Sequence, residues 1–401
     1  MRLWTILVLA IFVGCSTTEQ VSLRPSKQMP TPKEAPATST LDPIQAGVEK
    51  SLEMAGENRA EIEKFLKEAG EGFRRTAARF LVANMPPAAL ASLNADELLS
   101  EFNLAFKARE DFVWGKNVPD EIFLHFVLPN FITQERYEKY RAYFYPLLKD
   151  ALKDCKTMEE AALELNKWCG ARFKYKPTQM RDQGIFENLK RGYGRCEEMV
   201  ILYMSAARTV CLPTRQAYTP WWSTCDSNHA WVEVWCDGKW FYLGACEPSN
   251  KLNDAWFSTP VKRAPLVLAI AYGRLEKLQE GEEIYEYMER DTIINTTKWY
   301  SDTAKVKVKV TDNGKPLADK LVLFYVFNFG GLRPFAKAKT NNEGIASITL
   351  GIGEFFVSSG DDQKYSVVKF KTEPNKEVFV EVSLGEQKLE EGYFWLRYPS
   401  K

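Results

Sequence analysis

The stretch whose reading decides the fold is Asn228–Pro248, NHAWVEVWCDGKWFYLGACEP. From His229 to Cys236 the residues alternate. His229, Trp231, Glu233 and Trp235 fall on one face of a strand, and Ala230, Val232 and Val234 on the other. Asp237-Gly238 is a two-residue turn signal of type I′, so a second strand begins at Lys239. In that register Cys236 faces Lys239, Trp231 faces Gly244 and His229 faces Cys246. The hairpin also carries one of only two histidines among 401 residues.

A histidine at the head of such a strand asks for a chemical partner. Tyr193–Val210, YGRCEEMVILYMSAARTV, sets Cys196 at the start of a helical run whose inner face is Met199, Leu202, Ala206 and Val210. The positive end of a helix dipole favours thiolate over thiol, and first-turn N–H groups can cradle an oxyanion. Glu197 and Glu198 suit a helix start, yet their charge pushes a neighbouring thiol upward. A Cys/His pair is the minimum for thiol nucleophilic catalysis, the imidazole taking the thiol proton and returning it to the leaving amine. The competing reading of each residue is structural: a buried cysteine, a satisfied histidine. His125, in IFLHFVLP, reads as a packed core histidine.

Outward from the hairpin, the chain divides by texture, and the pattern predicts an α+β protein. Residues 1–15, MRLWTILVLAIFVGC, form a basic residue, an apolar run too short to span a bilayer, and Gly14-Cys15. This resembles a bacterial lipoprotein signal, which implies lipidation at Cys15, an anchor in the membrane and a place in the cell envelope. Residues 16–40 are a Pro- and Ser-rich tether. Residues 41–152 carry helical periodicity. A capping box, Thr157 with Glu160, opens the 153–260 core that holds Cys196 and His229. Residues 261–302 read as bridging strands, 303–385 as an all-β sandwich of about seven short strands, and 386–401 as a tail. The opening of the sandwich, VKVKVTDNGKPLADKLVLFY, resembles the carboxypeptidase-regulatory-like or transthyretin-like module, which implies an accessory part.

Composition narrows the chemistry. Lys+Arg and Asp+Glu each number 53, so no global field draws the chain to nucleic acid. There is no CxxC pair, and two histidines cannot build an HExxH site, so neither a metal nor another cofactor is expected. With Cys15 lipidated, seven cysteines remain. Cys246 is a candidate for oxidation with Cys225 or Cys236, and connectivity stays open.

Three segments together, GRC at Gly194–Cys196, ARTVCLPTRQAYTPWW at Ala207–Trp222 and the opening hairpin, resemble the transglutaminase-like (papain-related) cysteine superfamily. The superfamily includes transglutaminases, peptidases and peptide N-glycanases. The resemblance implies Cys196 as nucleophile and His229 as base, acting on amides of peptides, proteins or glycopeptides. It also implies an Asp on the second strand, where this chain has Gly244. Glu247 is then the candidate to orient His229, if a bulge turns it to the right face, with Glu233 a weaker one. A carbonyl or Asn fixing the imidazole is the remaining alternative. Trp221, Trp222, Trp231 and Tyr193 are candidates for substrate binding, and Tyr193 or Gln183 for a second oxyanion donor. The missing Asp motivates a rival reading, a catalytically degenerate scaffold that holds a peptide or glycan without turning it over. A redox role for the surplus cysteines is a third.

Overall fold

The computed structural model describes residues 42–178, 181–361 and 363–385. The lipidation candidate Cys15, the tether and the 386–401 tail lie outside them. Helices come first, then sheets, as the α+β pattern predicts. No helix among the described residues is long and apolar enough to cross a membrane.

Sequence signals set the helix ends. Pro86-Pro87 follows the Phe73–Ala83 helix and prevents its continuation. Asn94 and Glu97 form a capping box at Ala95–Asp111, and Thr157 and Glu160 do the same at Met158–Gly170. The apolar faces of these helices, Ile62, Phe65, Phe102 and Leu165 among them, join one core with the Cys196–Thr209 helix. That core ends on Ala230, Val232 and Val234 of the central sheet.

The central sheet has six antiparallel strands in the order Lys239–Leu243, His229–Cys236, Thr214–Thr219, Leu268–Tyr272, Asp291–Asn295, Glu283–Tyr287. The hairpin has the register read from its turn, Cys236 against Lys239 and Val232 against Leu243. Asp237 and Gly238 both have positive φ, 46° and 103°, as type I′ requires. Three strands within 261–302, expected as a bridge, instead complete half of this sheet. Its second face buries Trp231, Ala217, Phe257, Val261 and Ile294 in a separate apolar cluster. Two four-stranded sheets follow from Thr303 onward and share one apolar core of Val306, Val308, Phe324, Leu350 and Val382.

Candidate active site

The site gathers at the head of the His229–Cys236 strand, where the Cys196–Thr209 helix begins. Glu198 fixes that helix start. Its buried carboxylate accepts the Arg195 N–H at 3.0 Å, the Gln183 N–H at 3.2 Å and Arg191 Nη2 at 2.5 Å. Burial pushes the Glu198 carboxyl up, but these donors together hold it below its ordinary value. Glu198 is therefore structural.

Cys196 comes two residues earlier and is 9% exposed. Its sulfur accepts the backbone N–H groups of Ala230 and Glu197, and its thiol donates to Glu197 Oε2 at 3.2 Å. Burial first, then the charge of Glu197 and the bond to it, push the thiol up to about 12. The thiolate expected from the helix dipole is thus corrected. The amide donors are in place, but desolvation and the adjacent carboxylate outweigh them.

His229 is 8% exposed and ringed by aromatic side chains. The centroids of Trp222, Trp231, Trp256 and Phe257 lie 6.4, 5.8, 4.7 and 4.9 Å from its own. Burial pushes the imidazole down to about 3. Nε2 is buried, and among the described residues it has no hydrogen-bond partner. No hydrogen bond joins the ring to Cys196 either, and strand alternation explains why. The helix of Cys196 covers the face of Ala230, while His229 packs with Trp231 and Phe257 on the opposite face. The thiol is bonded to the very peptide N–H that links His229 to Ala230.

The third position departs from the expected register. The second strand ends at Leu243, and the chain turns through Ala245 and Cys246, the latter at φ 57°. Cys246 consequently does not stand opposite His229. Its thiol is buried, donates to the Met199 carbonyl at 3.4 Å and lies against Cys169. The described cysteines are all free, so neither pairing expected for Cys246 is formed. The same turn brings Glu247 back over Gly244. A β-carbon at position 244 would lie 2.2 Å from Glu247 Oε2, so this carboxylate fills space that any side chain there would need. Its partner is the Trp256 indole N–H, at 3.2 and 3.1 Å from the two oxygens, and not the imidazole. Burial pushes the Glu247 carboxyl up to about 7, with the Trp256 bond opposing. The carbonyls of Gly244 and Glu247 both accept Asn166 Nδ2, which pins the turn.

Glu233 is fully engaged elsewhere. It bonds Arg215 Nε at 2.6 Å and the Tyr300 hydroxyl at 2.5 Å, and Arg215 also pairs with Glu282 at 2.7 Å. This buried network removes Glu233 as an orienter. The aromatic candidates separate likewise. Trp231, with no exposure and its indole on the Tyr300 hydroxyl, backs the imidazole and cannot touch a substrate, and Trp222 is almost as buried. Trp221 is half-buried and donates to the Pro334 carbonyl at 3.1 Å. Tyr193 sits under Lys176 and Arg191, and the Gln183 amide donates to the Arg181 carbonyl at 2.5 Å.

Two residues at the site went unread in the sequence. Trp256, 59% exposed, joins Glu247 to His229, but it lies in a short helical turn without a motif. Tyr175 is brought beside Cys196 by a two-residue parallel pairing with Tyr193-Gly194, and the charges of Cys196, Glu197 and Glu247 all reach its hydroxyl. A cavity of about 450 Å³ opens next to Glu197, lined also by Gln134, Asp182, Gln216, Tyr218 and Arg290.

Known proteins frame this geometry. No curated protein matches the chain. A Cytophaga hutchinsonii protein provisionally described as a cysteine protease is 10% identical, with 60% of this chain and 54% of that one covered and a TM-score of 0.25. A DUF3823 family protein from Parabacteroides merdae is 14% identical over 21% of this chain and 46% of its own, with a TM-score of 0.17. The Bacillus anthracis TIE protein is 13% identical over 43% and 31%, with a TM-score of 0.18. The chain thus spans about half or less of the length of these structures. The family model described as the transglutaminase-like superfamily matches residues 147–245, which include both Cys196 and His229. Over this stretch, about a quarter of the chain, the protein is similar to the transglutaminase-like superfamily.

Proposed function

We propose that the protein is a cysteine amide hydrolase or acyltransferase that works from a neutral thiol and a neutral imidazole. The observation that carries this reading is the Cys196 sulfur held on the Ala230 N–H, beside a His229 whose Nε2 is buried and unpartnered. With the thiol near 12 and the imidazole near 3, no thiolate is stored at pH 7. Proton transfer therefore accompanies attack. For this step the imidazole swings from its resting aromatic pocket around the head of the strand and the thiol releases Glu197; the S–H bond then breaks as the S–C bond forms, and Nε2 takes the proton. The N–H groups of Glu197 and Ala230, already directed at the sulfur, serve the developing oxyanion. The imidazolium then gives its proton to the leaving amine as the C–N bond breaks, leaving a thioester. Water resolves the thioester in hydrolysis, an amine in transamidation. Abundant water in an aqueous compartment favours hydrolysis.

The substrates are amides of peptides, proteins or glycopeptides. Cys15 would tether the enzyme to a membrane of the cell envelope. Glu247 acts through Trp256, steadying the indole against the imidazole rather than bonding the imidazole itself.

A second reading has its own support. Gly244 and the Glu247–Trp256 bond leave His229 without a direct carboxylate, as in a domain that binds without turnover. One experiment separates the two. A mixture of glutamine-containing peptides and glycopeptides is incubated with the protein in ¹⁸O-water, with and without a primary amine. Mass changes that disappear with Cys196→Ala support the enzyme. Retention of peptides on the protein without any Cys196-dependent mass change would establish the scaffold.

A further inference from the structure

The segment that delivers His229, Trp221–Asn228, belongs to no helix or strand. It is closed on itself by Trp222 N–H to the Ser227 carbonyl at 2.9 Å and Ser227 N–H to the Cys225 carbonyl at 3.0 Å. Outside bonds hold the rest: Ser223 Oγ donates to the Arg263 carbonyl at 2.7 Å, and further anchors come from about a hundred residues later in the chain. Asn328 ends the Leu321–Asn328 strand of the C-terminal sheets and has no exposed surface. Its Nδ2 lies 2.9 Å from the Trp222 carbonyl, 2.8 Å from that of Cys225 and 3.4 Å from that of Ser227. Three carbonyls around one amide nitrogen fix its orientation, because a flipped amide would set oxygen against oxygen.

Two further bonds run the same way. The Phe329 N–H donates to Asp226 Oδ1 at 2.7 Å, and the Trp221 indole N–H to the Pro334 carbonyl at 3.1 Å. Phe329 reaches Asp226 from a backbone at φ 45°, a left-handed conformation disfavoured for a bulky residue, in the tight turn that pairs Asn328 with Gly331. Strain at that position is retained where the turn meets the His229 segment.

We propose that Asn328 is a positioning residue of the active site, holding the Trp222–Ser227 segment so that the imidazole of His229 stays sealed among its aromatic neighbours. The C-terminal sheets are then a working part of the site and not an accessory module. The inference rests on His229 being the base, but it can be tested apart from catalysis. Asn328 acts at a distance, through Trp222, whose ring stacks near the imidazole. Its removal leaves the Trp222 carbonyl without its donor and takes one of two donors from those of Cys225 and Ser227, the segment loosens, and water reaches a ring that burial now keeps neutral.

The chain has just two histidines, so ¹⁵N-histidine labelling of the full-length protein gives two sets of ring signals to titrate. His125, bonded to the Tyr272 carbonyl and to no residue of the 221–228 segment among the described contacts, is the internal control. In the Asn328→Ala protein the His229 value should climb by one unit or more toward its ordinary 6.5 while His125 stays put. Amides of residues 221–230 should exchange at least tenfold faster. If Asn328→Ala does not fold, Trp221→Phe, which deletes the bond to Pro334 and trims the ring that meets Phe329, is read for the same shift in smaller degree. An unchanged His229 titration in a folded variant overturns the proposal, and so does a shift shared equally by both histidines. Failure of Cys196 to form a thioester in the wild-type protein would sink the proposed activity and leave this result standing.

Discussion

The two histidines stand in similar surroundings and differ in one respect. His125 and His229 are 5% and 8% exposed, each has aromatic neighbours, and burial lowers both. His125 spends its Nδ1 on the Tyr272 carbonyl at 2.5 Å, deep between a helix and the sheet. His229 keeps a buried Nε2 with no partner among the described residues, one peptide unit from a cysteine sulfur. Burial alone does not tell a structural histidine from a working one. The unspent nitrogen is the feature on which the proposed base role rests, because a buried polar atom without a partner is costly.

The comparison can be pressed at four places. The largest effect should come from Arg215→Met, which leaves the Glu233 and Glu282 carboxylates buried without their cation. A loss of about 3–5 kcal/mol in urea unfolding is expected. If Glu233 instead served His229, the loss would be small and the His229 titration would move.

Glu247 comes next, and its effect depends on pH. Its folded value of about 7 exceeds the ordinary 4.5, so between these values the folded chain holds a proton that the unfolded chain has released. Stability from this group therefore falls as pH rises from about 4.5 through 7, by roughly 3 kcal/mol at most. Glu247→Gln should flatten the pH dependence of Tm across that window and raise Tm at pH 8. An identical pH profile in the variant would return the carboxyl to solvent.

His125→Phe keeps the ring and strands the Tyr272 carbonyl, for an expected loss of about 1–3 kcal/mol. Its Cys196 chemistry should stay within about twofold of wild type. A large kinetic loss with intact stability would erase the distinction between the two histidines. The smallest effect is expected from Glu197→Gln, which removes the charge that raises the Cys196 thiol and one of the two oxygens that can accept from it. Alkylation of Cys196 by iodoacetamide at pH 8 should quicken about tenfold, one unit of pKa. No change would mean that burial alone sets the thiol.

Much of this was legible locally. The hairpin register follows from Asp237-Gly238 and strict alternation, and the helix start at Cys196 from the apolar spacing behind it. Both are encoded within a few residues. What could not be read depends on where distant chain returns. The turn at Cys246 takes a positive φ that the residue type does not announce, and it moves both Cys246 and Glu247 from their ideal-strand faces. The ring of aromatics on His229 draws on Trp222 and Phe257, and the bonds that hold Trp222 begin at Asn328. The thiol departs from the helix-dipole expectation because burial, which no local pattern announces, outweighs the dipole together with the Glu197 charge.

The most direct test is to look for an acyl group on Cys196. The protein is exposed to p-nitrophenyl acetate, quenched in acid within one turnover, and the Cys196 peptide weighed by mass spectrometry. The account predicts an acetyl thioester in wild type, absent in Cys196→Ala, formed roughly 10²- to 10⁴-fold more slowly in His229→Ala, and formed at the wild-type rate in His125→Phe. A thioester that forms equally fast without His229, or none at all in wild type, would contradict it.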